Sequence, residues 1–232
     1  MIEDADEIAN PEKIKLTVAL LALGVPLLRL DQKLCYYYLN GFIHSKWFQP
    51  VVCRIGELKR RFGGSCDAAR WTAERDAVHA DVLARGFSPA RNAFVRAYDT
   101  DELDAANLLI PIVGFLPPDD PRVRGTVEAV QRELTSEEGF VYRNDMHGPR
   151  GSEGTFAICT FWLVEALVLL GEVPRARALF DRVTACANDL GLFAEHYDPL
   201  SGAQWGNFPQ AYSHVGLIHA AFAVSEGWEE VL

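Results

Sequence analysis

The feature of this sequence that most constrains its fold is an alternation between two kinds of helical segment. Three segments carry apolar residues on one side and charged residues on the other, as a helix with one buried face does; they span residues 67–85, 121–135 and 174–188. Three others are apolar nearly all round, as a helix buried on every side is; they span residues 103–116, 155–170 and 210–224. Each amphipathic segment precedes an apolar one, which predicts an outer layer of helices around an inner layer.

The lengths of the connections predict how these helices are arranged. Gly171 ends one apolar helix and Pro174 begins the next amphipathic helix, a link short enough to make an antiparallel pair. Each apolar helix is instead preceded by a long polar and aromatic loop, and these loops span residues 87–101, 136–154 and 189–209. The predicted fold is an all-α toroid of helical hairpins with its long loops, and with them the functional site, on one face. A helical repeat array is disfavoured because the helices show no fixed-period repeat.

Composition narrows the classes of partner. The 232 residues carry a formal net charge of −10, and an acidic chain repels phosphate backbones, so nucleic acid is not an expected partner.

The five cysteines are odd in number and include no Cys-x-x-Cys pair, which favours a reducing compartment. The acidic N-terminus is unlike a signal peptide, and the apolar stretch 16–28 is short and interrupted by Pro26, unlike a membrane span. We expect a cytoplasmic protein without membrane contact.

One loop carries a cluster of groups suited to sugar chemistry. Glu195 lies at the end of an apolar run within the motif LFAEHYDP (residues 192–199), and the motif GNFPQAYSH (residues 206–214) then opens an apolar helix. A carboxylate can activate water, and flat aromatic and amide groups can grip sugar hydroxyls. Considered alone, a loop glutamate is more often a solvated surface charge.

The two motifs closely resemble the C-terminal catalytic segment of glycoside hydrolase family 15, the glucoamylases and bacterial trehalases. The resemblance runs from about residue 67 to about residue 222. It implies an enzyme, an inverting hydrolase that releases glucose from α-glucosidic bonds in trehalose or maltooligosaccharides. It also implies an (α/α)6 barrel of six hairpins, of which the sequence contains about three, the C-terminal half. The corresponding division is an irregular segment over residues 1–40 and a partial catalytic domain over residues 41–232.

The same resemblance assigns roles to five residues. Glu195 would be the general base that takes a proton from the attacking water, and no cofactor is implied because water, an acid and a base suffice. Arg143 resembles a substrate-gripping arginine, able to donate two hydrogen bonds to adjacent hydroxyls; a weak surface ion pair is the alternative. Glu153 resembles a cavity-facing glutamate, although its charge also suits the start of a helix. Trp205 and Gln210 are the remaining candidate sugar contacts.

The general acid of such an enzyme has no counterpart where the resemblance would place it. Residues 41–46 weakly resemble a family segment that follows the acid, yet residues 32–43 contain neither Asp nor Glu. Inverting hydrolysis needs both an acid and a base. The alternative is therefore a non-catalytic remnant that binds sugar or a partner chain covering the exposed half-barrel. A third option, an isoprenoid-cyclase-like toroid, is disfavoured because the metal-dependent version needs an aspartate-rich motif.

Overall fold

A computed structural model of the protein describes residues 68–144 and 154–225, with only the backbone of residues 68–75. Within this part of the chain, the helices are α1 (Ala68–Arg85), a 3-10 helix (Ala105–Leu108), α2 (Leu109–Ile112), α3 (Pro121–Glu133), α4 (Ala157–Leu169), α5 (Val173–Thr184) and α6 (Ala211–Val224). The strands are all short: β1 (Phe87–Ser88), β2 (Ala93–Phe94), β3 (Thr155–Phe156), β4 (His196–Asp198) and β5 (Ala203–Trp205).

The helices form the two predicted layers. Helix α4 lies at the centre, in contact with α2 on one side and α6 on the other, and these three make the inner layer. Helix α5 packs outside against both α4 and α6, and α3 packs outside against the 3-10 helix that precedes α2. The prediction of helical hairpins in a partial toroid is confirmed.

Local signals set the ends of these helices as the sequence indicated. Asp120 caps α3, since its Oδ1 accepts a hydrogen bond from the backbone N–H of Arg122 at 2.9 Å. Gly171 has a φ of +81°, a left-handed conformation that glycine adopts without strain and that ends α4. Pro174 lies in the first turn of α5, where the missing N–H costs nothing. Together Gly171 and Pro174 make the tight link between an inner and an outer helix.

The first inner helix is shorter than predicted. The expected helix over residues 103–116 consists of a 3-10 turn followed by the four-residue α2. Pro111 lies inside this stretch, and Gly114 follows with a φ of +69°. A proline removes a backbone donor, and a left-handed glycine ends a helix. The prediction that this segment is buried is therefore correct, but the prediction of one continuous helix is wrong.

The hydrophobic core is centred on α4, whose Cys159, Phe161 and Val164 are fully buried. Gly216 allows α6 to approach this helix closely, because a Cβ atom at position 216 would lie 3.1 Å from the Cβ of Phe161. The thiol of Cys159 is free, and burial raises its pKa to about 12. Cys159 is therefore a buried, inert thiol, whereas Cys186 is free but only half-buried.

Helix α6 has a partly exposed apolar face. Tyr212, Val215, Ile218 and Phe222 follow helical spacing along this face, and between 47% and 57% of each side chain is exposed. The inner helix α4 packs against α2, α5 and α6 and has no comparable face. Among the described inner helices, α6 therefore has the most exposed apolar face. Over the described ranges, no helix combines the length and apolarity needed to cross a membrane.

Candidate active site

Backbone hydrogen bonds join the segments that precede the three inner helices α2, α4 and α6. The first rung of this ladder links the loop before α2 to the loop before α4, where the N–H of Ala105 donates to the carbonyl of Arg143 at 2.9 Å. The second links the N–H of Phe156 to the carbonyl of Val141 at 2.8 Å. The third is the pairing of β3 with β4, which brings in the loop before α6. Residues from three separate loops thereby converge on one surface.

The sequence did not predict the short strands of this ladder. Strand β3 has two residues and β4 and β5 have three each, too few to produce a recognisable period-two pattern. The structure therefore adds small antiparallel ladders to a fold that was predicted to be all helical. They hold the loops, while the helices remain the bulk of the molecule.

Glu195 immediately precedes β4 and is half-buried. Its backbone carbonyl accepts from the N–H of Ala157, at the start of α4, at 3.1 Å. Its side-chain Oε2 accepts a hydrogen bond from the Nδ2 of Asn207 at 2.8 Å. The backbone of Glu195 is therefore fixed to the start of an inner helix, and its carboxylate contacts the turn that leads into α6. A carboxylate in such a position can accept a proton from water.

Two other predicted residues lie on the same loop. Trp205 ends β5 and pairs across the ladder with His196, and 38% of its side chain is exposed. An aromatic ring so placed can stack on a sugar. Gln210 is half-buried at the position that begins α6, and its backbone N–H donates to the carbonyl of Phe193 at 2.9 Å. The structure thus places Glu195, Trp205 and Gln210 within one folded loop.

Arg143 is held by a carboxylate that the sequence did not single out. Its Nε donates to the Oδ1 of Asp104 at 2.9 Å, and 38% of the arginine side chain but only 5% of the aspartate side chain is exposed. The same Oδ1 accepts from the backbone N–H of Ala106 at 2.7 Å. Burial raises the pKa of Asp104, and the nearby positive charge of Arg143 opposes that rise. The alternative of a weak surface ion pair is therefore only partly met, because the carboxylate of this pair is buried while the arginine side chain is partly exposed.

Gln204, another residue that the sequence did not single out, fixes the loop around Glu195 through two side-chain hydrogen bonds to the backbone. Its Oε1 accepts from the N–H of Ala194 at 2.6 Å, and its Nε2 donates to the carbonyl of Cys186 at 2.9 Å. His214 engages the same loop through both ring nitrogens, with Nδ1 2.8 Å from the carbonyl of Gln210 and Nε2 accepting from the N–H of Phe193 at 3.4 Å. His214 is therefore tied to the backbone, the role expected of a structural histidine.

Two predicted features lie beyond what the structure describes. Glu153 and the segment 41–46, which resembles the region after the general acid, fall outside residues 68–144 and 154–225. Among the described residues, no group of three or more His, Cys, Asp or Glu side chains could hold a metal ion. The site as described therefore contains one candidate base, one arginine and aromatic and amide side chains.

Proteins named trehalases are similar in sequence to most of this chain. It is 46% identical to the trehalase of Mycobacterium tuberculosis over 181 residues, which are 76% of this chain and 26% of that protein. It is 36% identical to the trehalase of Thermoplasma acidophilum over 173 residues, which are 74% of this chain and 30% of that protein. The chain therefore spans only about a quarter to a third of the length of these relatives.

Solved structures of glycosidases share the fold. A wild-type glycosidase superposes with a TM-score of 0.61 at 20% identity, covering 80% of this chain and 50% of that one. A glycosidase in complex with glucose superposes with a TM-score of 0.65 at 20% identity and the same coverage. The described helices thus correspond to about half of a larger helical toroid.

The family itself is identified by a match along the sequence. The family model described as "Glycosyl hydrolases family 15" matches residues 51–222, which include every element described above except the last two residues of α6. The match covers well over half of the 232 residues. This chain belongs to glycosyl hydrolase family 15.

Proposed function

We propose that this chain forms the base-bearing part of an inverting glycoside hydrolase that releases glucose from an α-glucosidic bond. Glu195 would take a proton from the water that attacks the anomeric carbon, on the face opposite the leaving group. The single observation that carries the proposal is the position of this carboxylate, half-buried beside Asn207 in the loop that leads into α6 of a family 15 fold. The proposal includes the division of the chain into a segment over residues 1–40 and a partial catalytic domain over residues 41–232.

Trehalose is the preferred substrate in this proposal. The relatives that share 36% to 46% identity with the chain are named trehalases, whereas a glucoamylase-like preference for maltooligosaccharides has only the family as support. Arg143, Trp205 and Gln210 would contact the sugar together with Glu153.

The test compares glucose release by the purified 232-residue chain and by its Glu195→Gln variant, with trehalose and maltooligosaccharides supplied in parallel. The amide keeps the shape of the side chain but cannot accept the proton, so glucose release should fall by about 10²-fold or more. The Glu137→Gln variant is a matched control, because Glu137 is an exposed loop carboxylate and its loss should leave the rate unchanged. Equal turnover by the Glu195→Gln and unaltered chains would remove Glu195 from the mechanism.

A second candidate function is a non-catalytic sugar-binding or assembly role. Two observations favour it: residues 32–43 contain no carboxylate where the general acid is expected, and the apolar face of α6 is exposed. Thermal stabilisation by trehalose without glucose release would support this role, because a ligand that binds only the folded state stabilises it. Glucose release that depends on Glu195 would exclude it.

A further inference from the structure

We infer that the turn formed by Gly206 and Asn207 is the positioning element of the carboxylate of Glu195. Asn207 holds one carboxylate oxygen, and Gly206 provides the space that the carboxylate occupies. The inference rests on the proposed role of Glu195 as general base. It concerns two residues that act through Glu195 and do not themselves take part in proton transfer.

Asn207 contacts Glu195 through both backbone and side chain. Its Nδ2 donates to Glu195 Oε2 at 2.8 Å, and its backbone N–H approaches the same oxygen at 3.4 Å. In the reverse direction the N–H of Glu195 donates to the carbonyl of Asn207 at 3.0 Å. The reciprocal backbone bond fixes the distance between the two residues. The side-chain bond then restricts rotation of the carboxylate, because moving Oε2 would break it.

Gly206 makes this arrangement sterically possible. Its φ is +79°, and a Cβ atom at this position would lie 3.1 Å from both the Cβ and the Oε2 of Glu195. Such contacts are closer than most Cβ atoms make, so a Cβ at this position would require the side chain of Glu195 to shift by a few tenths of an ångström. Two features therefore favour glycine at position 206: its left-handed backbone conformation, and the little space that Glu195 leaves for a Cβ atom.

The contacts suit the chemistry of a general base. A base must be held within about 0.5 Å of its productive position by partners that do not compete for the proton. The amide of Asn207 donates to Oε2 and cannot accept a proton at this point, so the other carboxylate oxygen, Oε1, is the one that would receive the proton of water. Misplacement of a reacting group by about 1 Å can cost 10²-fold in rate. The turn should accordingly matter for turnover more than for substrate binding.

A kinetic comparison of four variants tests the positioning role. Asn207→Ala removes the donor, and Asn207→Asp keeps the shape while replacing the donor with a second carboxylate; we expect each to lower kcat by about 10- to 100-fold with KM changed by less than about threefold. Gly206→Ala should give the same pattern. Gly191→Ala is its control, because Gly191 has a φ of +75° and its added Cβ would meet nothing within 4 Å. If Gly191→Ala lowers kcat as much as Gly206→Ala, backbone strain explains the loss and the inference is wrong.

A nuclear magnetic resonance measurement tests the contact without any turnover. The side-chain amide resonance of Asn207 should shift in the Glu195→Gln variant of the ¹⁵N-labelled chain, because its acceptor loses its charge. The side-chain amide resonance of Asn92, which lies on the distant turn between β1 and β2, should not move. An unchanged Asn207 resonance would overturn the inference even if the enzyme is active. No glucose release by the unaltered chain would contradict the proposed function, and the Asn207 resonance would then decide the positioning contact alone.

Discussion

At the scale of single residues, the candidate site contains pairs in which one member has a proposed role toward the substrate and the other holds it in place. Asp104 holds Arg143 through a hydrogen bond of 2.9 Å. A carboxylate as buried as that of Asp104 loses much of its hydration, and attraction to a partner seldom repays that loss in full. A buried pair of this kind adds little to stability by itself, so its effect is to fix the guanidinium. We therefore assign Asp104 to the positioning of Arg143.

The Asp104→Asn variant separates this effect from a structural one. Its Oδ1 can still accept the hydrogen bond from the backbone N–H of Ala106, so the 3-10 helix should keep its cap, but the charge facing Arg143 is lost. A hydrogen bond to a charged group contributes about 1.5–3 kcal/mol, and we expect the trehalose concentration that gives half-maximal stabilisation or half-maximal rate to rise about tenfold or more.

That change is measured by thermal shift and by initial rates across a trehalose series, with Asp119→Asn as control, since Asp119 is an exposed carboxylate outside the ladder. Unaltered trehalose dependence in a folded Asp104→Asn variant would mean that Arg143 needs no such support or does not contact sugar.

At the scale of elements, the apolar inner helix α4 contains one carboxylate, whose ionised form its surroundings disfavour. Glu165 is half-buried, and desolvation raises its pKa to about 7 from an ordinary value of 4.5. The folded state therefore holds a proton on Glu165 more tightly than the unfolded state does. Its contribution to stability is fully present below pH 4.5 and is lost as the pH rises toward about 7.

The Glu165→Gln variant should remove this pH dependence, since glutamine stays neutral. We expect the variant to match the parent chain near pH 4.5 and to be more stable above pH 7 by on the order of 2 kcal/mol, because each unit of pKa difference corresponds to about 1.4 kcal/mol. Urea denaturation at several pH values measures the difference, with Glu128→Gln on the exposed side of α3 as control. A constant difference between the Glu165→Gln and parent chains across the pH range would show that the charge of Glu165 is not the cause.

At the scale of the whole molecule, the described helices form part of a toroid in which the inner helix α6 has a partly exposed apolar face. The chain corresponds to about half of the solved glycosidase chains that share its fold. On this face Ile218 and Phe222 are more than half exposed. Exposed apolar patches of this kind favour association, so self-association of the purified chain should depend on this face.

A pair of variants tests that expectation. Ile218→Gln should lower light scattering at a given protein concentration, while the free energy of unfolding changes by only about 0.5 kcal/mol because the side chain is already exposed in the folded state. Leu200→Gln is the control, since Leu200 is 89% exposed but lies in the loop before β5. Equal reduction of scattering by both substitutions would indicate general surface hydrophobicity rather than the α6 face.

The sequence by itself determined the layered helical fold and pointed to the candidate loop. Helix type follows from the spacing of apolar residues, and helix ends follow from local signals such as Asp120 and Gly171, so short stretches of sequence determine both. The segment around Glu195, the proposed base, could be singled out because its motif is contiguous. The one helical prediction that was wrong, the long helix over residues 103–116, was wrong because periodicity reports burial and does not register where Pro111 and Gly114 interrupt the helix.

The tertiary structure alone decided which side chains hold the proposed functional ones. Asp104 lies 39 positions before Arg143, and nothing in either local sequence indicates that a carboxylate and a guanidinium from two loops will meet at 2.9 Å. The contact between Asn207 and Glu195 likewise depends on the β4–β5 hairpin, whose strands are too short to leave a pattern. Local periodicity encodes elements, but contacts between loops depend on how the packed helices bring those loops together.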